Sequence, residues 1–260
     1  MAGLLLAIDV GNTDTTLGLF EGRRLVSHWR LHTDLRRTPD ELALLLRGLV
    51  AQVPDAPERI ERGWIGSVVP PLDPVLTRAF FRAFQVVPRF FRGSDALPVR
   101  LLVDEPLTVG ADRILNTLAA STLYGVDTIA VDLGTATTFD CITAEGDFLG
   151  GVIAPGPRSG LEGLTLRASK LPFVELGLPA GVIGKRTEAC LRAGGFYMVV
   201  DGIDGIVRRI RAEWEKPEAL VVATGGLAPV IAPECETVDF VEPYLTLYGL
   251  EIADRLLRGT

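Results

Sequence analysis

The chain is laid out as short apolar runs separated by turn-forming residues. Leu4–Val10 is nearly unbroken in its apolar character and is closed by Gly11-Asn12, which predicts a buried strand ending in a tight turn. Residues 15–20 are β-branched or apolar, Glu21-Gly22-Arg23 reads as a turn, and residues 25–31 alternate, so three strands in a meander are expected. Thr38-Pro39-Asp40-Glu41 offers an N-cap, a proline at the first helical position and a glutamate at the third. That capping box predicts a helix over 39–52. Residues 63–69 predict another strand, 74–84 a second helix and 85–91 a further strand, followed by a loop punctuated by glycine and proline.

The second half begins in the same way. Strands are predicted over 128–133, 135–143 and 147–153, with Glu145-Gly146 taking the place of Glu21-Gly22. A helix over 187–214 carries Ile203, Ile206, Val207 and Ile210 on one face. Its glycines, Gly194, Gly195, Gly202 and Gly205, weaken it locally but let a neighbouring element come close. Residues 219–223 predict a strand ended by Thr224-Gly225-Gly226, and residues 244–257 an amphipathic helix. Strands alternating with helices, opened twice by the same meander, predict an α/β protein of two like lobes. Each lobe is expected to be a mixed sheet flanked by helices, with a cleft between the lobes as the favoured ligand site. The division is expected at 1–115 and 116–260.

Bulk composition narrows the partners. A length of 260 residues with 48% hydrophobic and 23% charged residues suits a packed core without staples. A net charge of −7 argues against nucleic acid or an anionic membrane as the main partner, and does not exclude a local phosphate site. Cys141, Cys190 and Cys235 have no C-x-x-C spacing, which fits a reducing compartment, and no apolar stretch approaches a membrane span, so the cytoplasm is expected. His28 and His32, the two histidines, both lie in a strand-like stretch, so a Ser-His-Asp triad is a poor candidate.

The repeated turn carries the chemistry. IDVGNTDTTLGLF at 8–20 and VDLGTATTFDCIT at 131–143 both place Asp at the end of a buried strand, then Gly, then small hydroxyl-bearing residues. A carboxylate at a sheet mouth can hold a hydrated Mg²⁺. Glycine lets backbone N–H groups approach an anion, and such turns form anion-binding concavities. Two of them facing across a cleft would hold a polyphosphate from both sides. Thr224-Gly225-Gly226 would suit an adenine-ribose face. Other nucleotide motifs fail: GLPAGVIGKRT has G-x₆-GK spacing with Arg186 in the Ser/Thr place of a P-loop, and no GxGxxG follows a strand.

DVGNTDT, GADRI (110–114), DLGTATTFD (132–140) and ATGGLA (223–228) resemble the type III pantothenate kinases. So do GGVIAPG (150–156), KLPFVEL (170–176), IGKRT (183–187) and LTLYGL (245–250), all in family order. That resemblance implies the superfamily of acetate and sugar kinases, heat-shock chaperones and actin, hence two duplicated actin-like (ribonuclease H-like) lobes. It implies transfer of the γ-phosphate of ATP to the primary hydroxyl of pantothenate, the first step of coenzyme A synthesis, with Mg²⁺ and a monovalent cation, K⁺ or NH₄⁺. Residue by residue, Asp9, Val10, Gly11, Asn12, Thr13, Asp14, Thr15 and Thr16 form the first ATP-binding segment, with Gly134 and Thr135 on the second. Asp112 is the proton acceptor, Gly110, Ala111, Asp112 and Arg113 hold pantothenate together with Thr187, and Asp132 binds the monovalent cation. A homodimer with active sites near its interface is also implied.

The GADR stretch has its own physical reading. Asp112 and Arg113 fall in the first turn of a helix-like stretch, where spare N–H groups favour an anion, and Arg113 suits a carboxylate. The chain departs from the family at Arg186, where Asn is usual, at Leu191-Arg192-Ala193-Gly194, and at Val103, where an aromatic is usual. Those departures motivate one alternative, a non-catalytic accessory relative that binds nucleotide. A sugar kinase of the same superfamily is the other enzyme reading.

Overall fold

The computed structural model describes residues 3–258. Its contacts divide the chain into two units. The first comprises the residues up to Val99, Glu105–Ala119 and the segment from Thr246 onward; the second comprises Arg100–Asp104 and Ala120–Leu245.

In the first unit, β1 (Leu4–Val10), β2 (Asp14–Glu21), β3 (Arg24–His32), β4 (Ile60–Ser67) and β5 (Arg89–Phe90) form one sheet of order β3-β2-β1-β4-β5. Strand β1 is antiparallel to β2 and parallel to β4. Side chains alternate along a strand, so Leu4, Leu6, Ile8 and Val10 share one face. There they pack with Leu42 and Leu46 of α1 (Pro39–Val50) and Leu76 and Phe80 of α3 (Asp73–Phe84). Leu5 and Ala7 point the other way and are also buried. Burial on both faces is why β1 reads as a continuous apolar run rather than an alternating one. The opposite face is covered by α8 (Leu245–Arg258), which returns from the chain's end. Phe20, paired with Leu5, meets Tyr248 edge-on at 5.6 Å, and the Trp64 indole N–H, on the residue paired with Ala7, donates to Asp254 at 3.0 Å.

The capping box forms as expected: the Thr38 hydroxyl accepts from Glu41 N–H while the Glu41 carboxylate accepts from Thr38 N–H at 2.8 Å. A single helical turn, α2 (Ala56–Arg59), leads into β4. The strand expected over 85–91 shrinks to Arg89–Phe90. Gln85 ends α3 in the left-handed region, at φ 57°, and Pro88 has no N–H to give a ladder.

The second unit repeats that topology. Strands β6 (Arg100–Leu101), β7 (Thr128–Leu133), β8 (Ala136–Ile142), β9 (Asp147–Pro155), β10 (Leu220–Thr224) and β11 (Phe240–Val241) run in the order β11-β10-β7-β8-β9-β6. Strand β7 is antiparallel to β8 and parallel to β10, as β1 is to β2 and β4. Without the added β6, the two sheets have the same order, so the repeat in the sequence is a repeat of the fold. Ile129, Val131 and Leu133 pack with Phe196, Val200, Ile203 and Val207 of α6 (Thr187–Glu213); of the expected face, Ile203, Val207 and Ile210 are buried in this cluster and Ile206 packs against it half-buried. Helix α4 (Ala111–Tyr124) carries the chain from the first unit to the second, and the short α7 (Ala228–Ile231) follows β10.

Helix α5 (Pro157–Arg167) has no counterpart in the sequence reading, because Pro157, Ser159, Gly160 and Gly163 look like loop residues. Tertiary packing holds it. Leu161 sits where Gly195 of α6 lacks a side chain; a Cβ there would stand 2.7 Å from it. That close approach bears out the expectation for the α6 glycines at one position. Among the described residues, no helix is long and apolar enough to cross a membrane.

Candidate active site

The first turn joins β1 to β2. Gly11 N–H donates to the Asp14 carbonyl at 3.0 Å, closing a loop in which Asn12 and Thr13 are exposed. Thr33, one residue beyond β3, ties this loop down. Its N–H donates to the Thr13 carbonyl at 2.8 Å and its hydroxyl to the Gly11 carbonyl at 2.8 Å. That hydroxyl has one proton to give, so across the 2.9 Å contact it accepts from the Thr15 hydroxyl. The carbonyls of the turn are thereby held toward β3. Buried Thr15 acts within the clamp, and Val10, fully buried and with its carbonyl taken by Val68 N–H at 3.1 Å, anchors the start of the turn. Asp14 faces Arg30 at 3.9 Å. Nothing in the sequence marks Thr33; the β2–β3 register, with Asp14 opposite His32, brings it there.

Asp9 is half-buried and is directly opposite Thr16 on β2 and Gly66 on β4. These three residues therefore share one sheet face. Helix α4 covers that face: the Leu115 side chain lies against Gly66, where a Cβ would stand 3.0 Å from it. Asp112 and Arg113 are half-buried in the first turn of α4, as the sequence predicts. The Asp112 carboxylate accepts from Arg113 N–H at 2.9 Å and folds back over Gly110, into space that any side chain at 110 would occupy. Thr117 braces the turn by donating to the Arg113 carbonyl at 2.8 Å. In the first unit, the sheet face that carries Asp9 and Thr16 is thus packed by α4, the helix whose first turn holds Asp112 and Arg113.

The second unit contains Asp132, Gly134, Thr135 and Thr187. Its turn is one residue shorter than the first; Gly134 N–H donates to the Ala136 carbonyl at 3.1 Å, and Gly134 and Thr135 are exposed. The Thr135 carbonyl accepts from the Ser159 hydroxyl at 2.9 Å, the counterpart of the Thr33 tie. Asp132 is half-buried opposite Thr138 and Thr224. Beside it, Gly225 has φ 88°, a backbone conformation that favours glycine, and a Cβ there would stand 2.5 Å from Asp132 Oδ1. The Thr-Gly-Gly turn after β10 thus leaves a notch at the carboxylate. Thr187 is the exposed first residue of α6 and borders an apolar cavity of about 560 Å³ lined by Phe139, Leu161, Leu164, Met198 and Ile206. Lys185 and Arg186 are exposed, and Val103 lies 3.5 Å from the place a Cβ on Gly150 would take.

The perturbed titrations lie outside these segments. Burial pushes the Cys235 thiol up to about 12, and burial also raises Glu242 and Glu251 above the ordinary carboxylate value. Among the described residues, no cluster of three or more His, Cys, Asp or Glu side chains could hold a metal ion. Any cation here would draw on fewer than three such side chains and complete its shell with phosphate, carbonyls and water.

The family model described as type III pantothenate kinase matches residues 5–209. Among curated relatives, the type III pantothenate kinase of Frankia casuarinae is 46% identical over 96% of this chain and 98% of its own length. That of Acidothermus cellulolyticus is 48% identical over 96% of this chain and 97% of its own. Among solved structures, the ethanolamine utilization protein EutJ from Carboxydothermus hydrogenoformans aligns over 97% of this chain and 90% of its own, with TM-score 0.56 and 15% identity. At that identity the likeness is one of fold.

Proposed function

The chain belongs to the type III pantothenate kinases, and on that premise we propose how its own residues perform the reaction. The protein is a kinase that phosphorylates pantothenate, with ATP as the phosphoryl donor. The observation supporting the assignment of roles is that α4, which carries Asp112 and Arg113 in its first turn, packs through Leu115 on Gly66, the residue opposite Asp9 at the end of the strand that leads into the first turn.

In this reading the Asn12-Thr13 turn and the Gly134-Thr135 turn present backbone N–H and hydroxyl groups to the phosphates of ATP. Val10, Gly11, Asp14 and Thr15 shape the first turn, and Asp9 and Thr16 stand at its base. Arg113 and Thr187 bind pantothenate, the guanidinium taking its carboxylate. Asp112 orients the primary hydroxyl and accepts its proton as the hydroxyl oxygen bonds to the γ-phosphorus and the bond to the ADP oxygen breaks. The transition state is loose, so orientation contributes most and proton acceptance comes late.

Two cations fit these residues. Asp9, the carboxylate at the base of the phosphate turn, suits Mg²⁺, which keeps several waters and shares its ligands with phosphate. Asp132, with the notch left by Gly225, suits a monovalent cation. Bound there, such ions neutralise charge on the transferring phosphate. We further propose a homodimer, supported by exposed apolar side chains at Leu166, Ile183 and Met198 in the second unit, and a cytoplasmic setting, supported by Cys141, Cys190 and Cys235 standing outside any disulfide.

Asp112→Asn tests the assignment. It should lose about 10²- to 10⁴-fold in pantothenate-stimulated ADP release while calorimetry shows unchanged ATP binding. Full turnover in the variant would remove Asp112 from the role of proton acceptor.

A further inference from the structure

On the reading of Asp112 as proton acceptor, we propose that helix α8, the last element of the chain, positions that carboxylate, with Thr246 and Gly249 as the positioning residues. Leu115 and Asn116 lie three and four residues after Asp112, so they sit one helical turn beneath it on the same side of α4. Helix α8 grips both. The Thr246 hydroxyl donates to Asn116 Oδ1 at 2.8 Å, with both side chains buried. Gly249 meets the Leu115 main chain directly: a Cβ at 249 would stand 2.8 Å from the Leu115 carbonyl carbon, 2.9 Å from its Cβ, and nearer still to its carbonyl oxygen. Main chain against main chain leaves no flexible side chain to absorb a shift. Packed interiors transmit such strain.

The other end of α8 is bolted to the sheet. Asp254, 2% exposed, accepts from Trp64 Nε1 at 3.0 Å and from Arg62 at 3.1 Å, both on β4, and from Arg258 at 2.9 Å. Strand β4 is the strand whose Gly66 lies opposite Asp9 and receives the Leu115 side chain. The chain therefore closes a mechanical circuit: the first phosphate turn on β1, then β4, then α8, then the helix that carries Asp112. The spacing of Asp112 from the first turn is set by this circuit, and residues 246 and 249 are its contact with α4.

The test uses the full chain with Thr246→Val, Thr246→Ser and Gly249→Ala, measuring kcat, both KM values and thermal melts, with rates expressed per folded protein. A displacement of about 1 Å at a reacting group can cost about 10²-fold. Gly249→Ala should lower kcat by about 10- to 100-fold and Thr246→Val by about 5- to 10-fold. KM for ATP should stay within about twofold, because the Thr33 clamp is untouched. Thr246→Ser, which keeps the hydroxyl, should restore kcat to within about twofold of the parent. Should Gly249→Ala fail to fold, the Val and Ser pair at 246 decides. Asp112→Asn is assayed in parallel. If it is inactive while Thr246→Val keeps the parental kcat, α8 does not position Asp112 and the inference falls alone. If Asp112→Asn is fully active, the reading beneath it falls, and the inference with it.

Discussion

Gly156→Ala is a sharp probe of the second turn. Gly156 is the N-cap of α5 at φ −65° and ψ 158°, extended backbone that any residue adopts. Backbone freedom therefore does not call for glycine here. On unfolded-state entropy alone the alanine would stabilise the protein by about 0.4–1 kcal/mol. Contact argues the other way. The new methyl would stand 2.5 Å from the Gly134 carbonyl oxygen and 2.5 Å from the Thr135 carbonyl carbon, and closer to the Thr135 oxygen. Ordinary contact begins near 3.4 Å, so main chain that cannot rotate away must give by at least about 0.9 Å. Overpacking of this kind costs about 1–3 kcal/mol, which, set against the entropy gain, leaves a net loss of up to about 2.6 kcal/mol. Each kcal/mol corresponds to about 2–4 °C in Tm for a chain of this size. If Gly134 and Thr135 contact ATP as proposed, a shift approaching 1 Å should lower kcat/KM for ATP by about 10- to 100-fold. A coupled ADP-release assay with varied ATP, run beside a thermal melt, measures both effects. Ser159→Ala is the companion, since it removes the hydrogen bond to the Thr135 carbonyl without pushing on the turn; its effect on the same ratio should be a few-fold. Parental kcat/KM for ATP in folded Gly156→Ala would refute the argument that this turn's placement governs ATP use.

Two further outcomes follow from hydrogen bonding. Thr33→Val keeps the shape of the side chain but releases the Gly11 carbonyl and the Thr15 hydroxyl. Stability should fall by about 1 kcal/mol and KM for ATP should rise several-fold; an unchanged KM would show that the clamp does not serve the phosphate turn. Asp204 is buried, and burial by itself would raise its pKa. The Thr237 hydroxyl at 2.6 Å, the N–H groups of Glu236 and Thr237, and the Arg208 charge outweigh burial and hold it below the ordinary value of 3.8. A depressed folded-state pKa gives stability that is present above the unfolded value and lost as pH falls through the folded one. Asp204→Asn should therefore cost about 1–3 kcal/mol at pH 7, with the gap to the parent closing below about pH 4 in melts across pH. A gap of constant size down to pH 3 would exclude the ionised carboxylate as its source.

Much of the fold was legible because its elements obey local rules. The meander was visible in the apolar runs and the Glu-Gly turns, α1 in its capping box, β7 to the residue and α4 in its first turn, because strand ends and helix starts are written in side-chain chemistry. The duplication was visible for the same reason, as two copies of one turn. The strand after α3 and the helix after β9 were misjudged where local signals and long-range packing disagree. Pro88 denies a ladder, while Leu161 in the space over Gly195 holds a helix that its own glycines would not predict.

The class of the protein, most of its element order and the candidate site segments could be read along the chain, because each is a local pattern of a few residues. What braces those segments emerges only from the fold. Thr33 and Ser159 lie 20 or more positions from the carbonyls they tie. Thr246 lies 130 positions from its partner Asn116. Such contacts leave no periodicity or spacing in the chain, since a hydrogen bond or a glycine contact between distant residues is fixed by strand register and helix packing. The groups proposed to do the chemistry are thus local in sequence, while their placement depends on the fold as a whole.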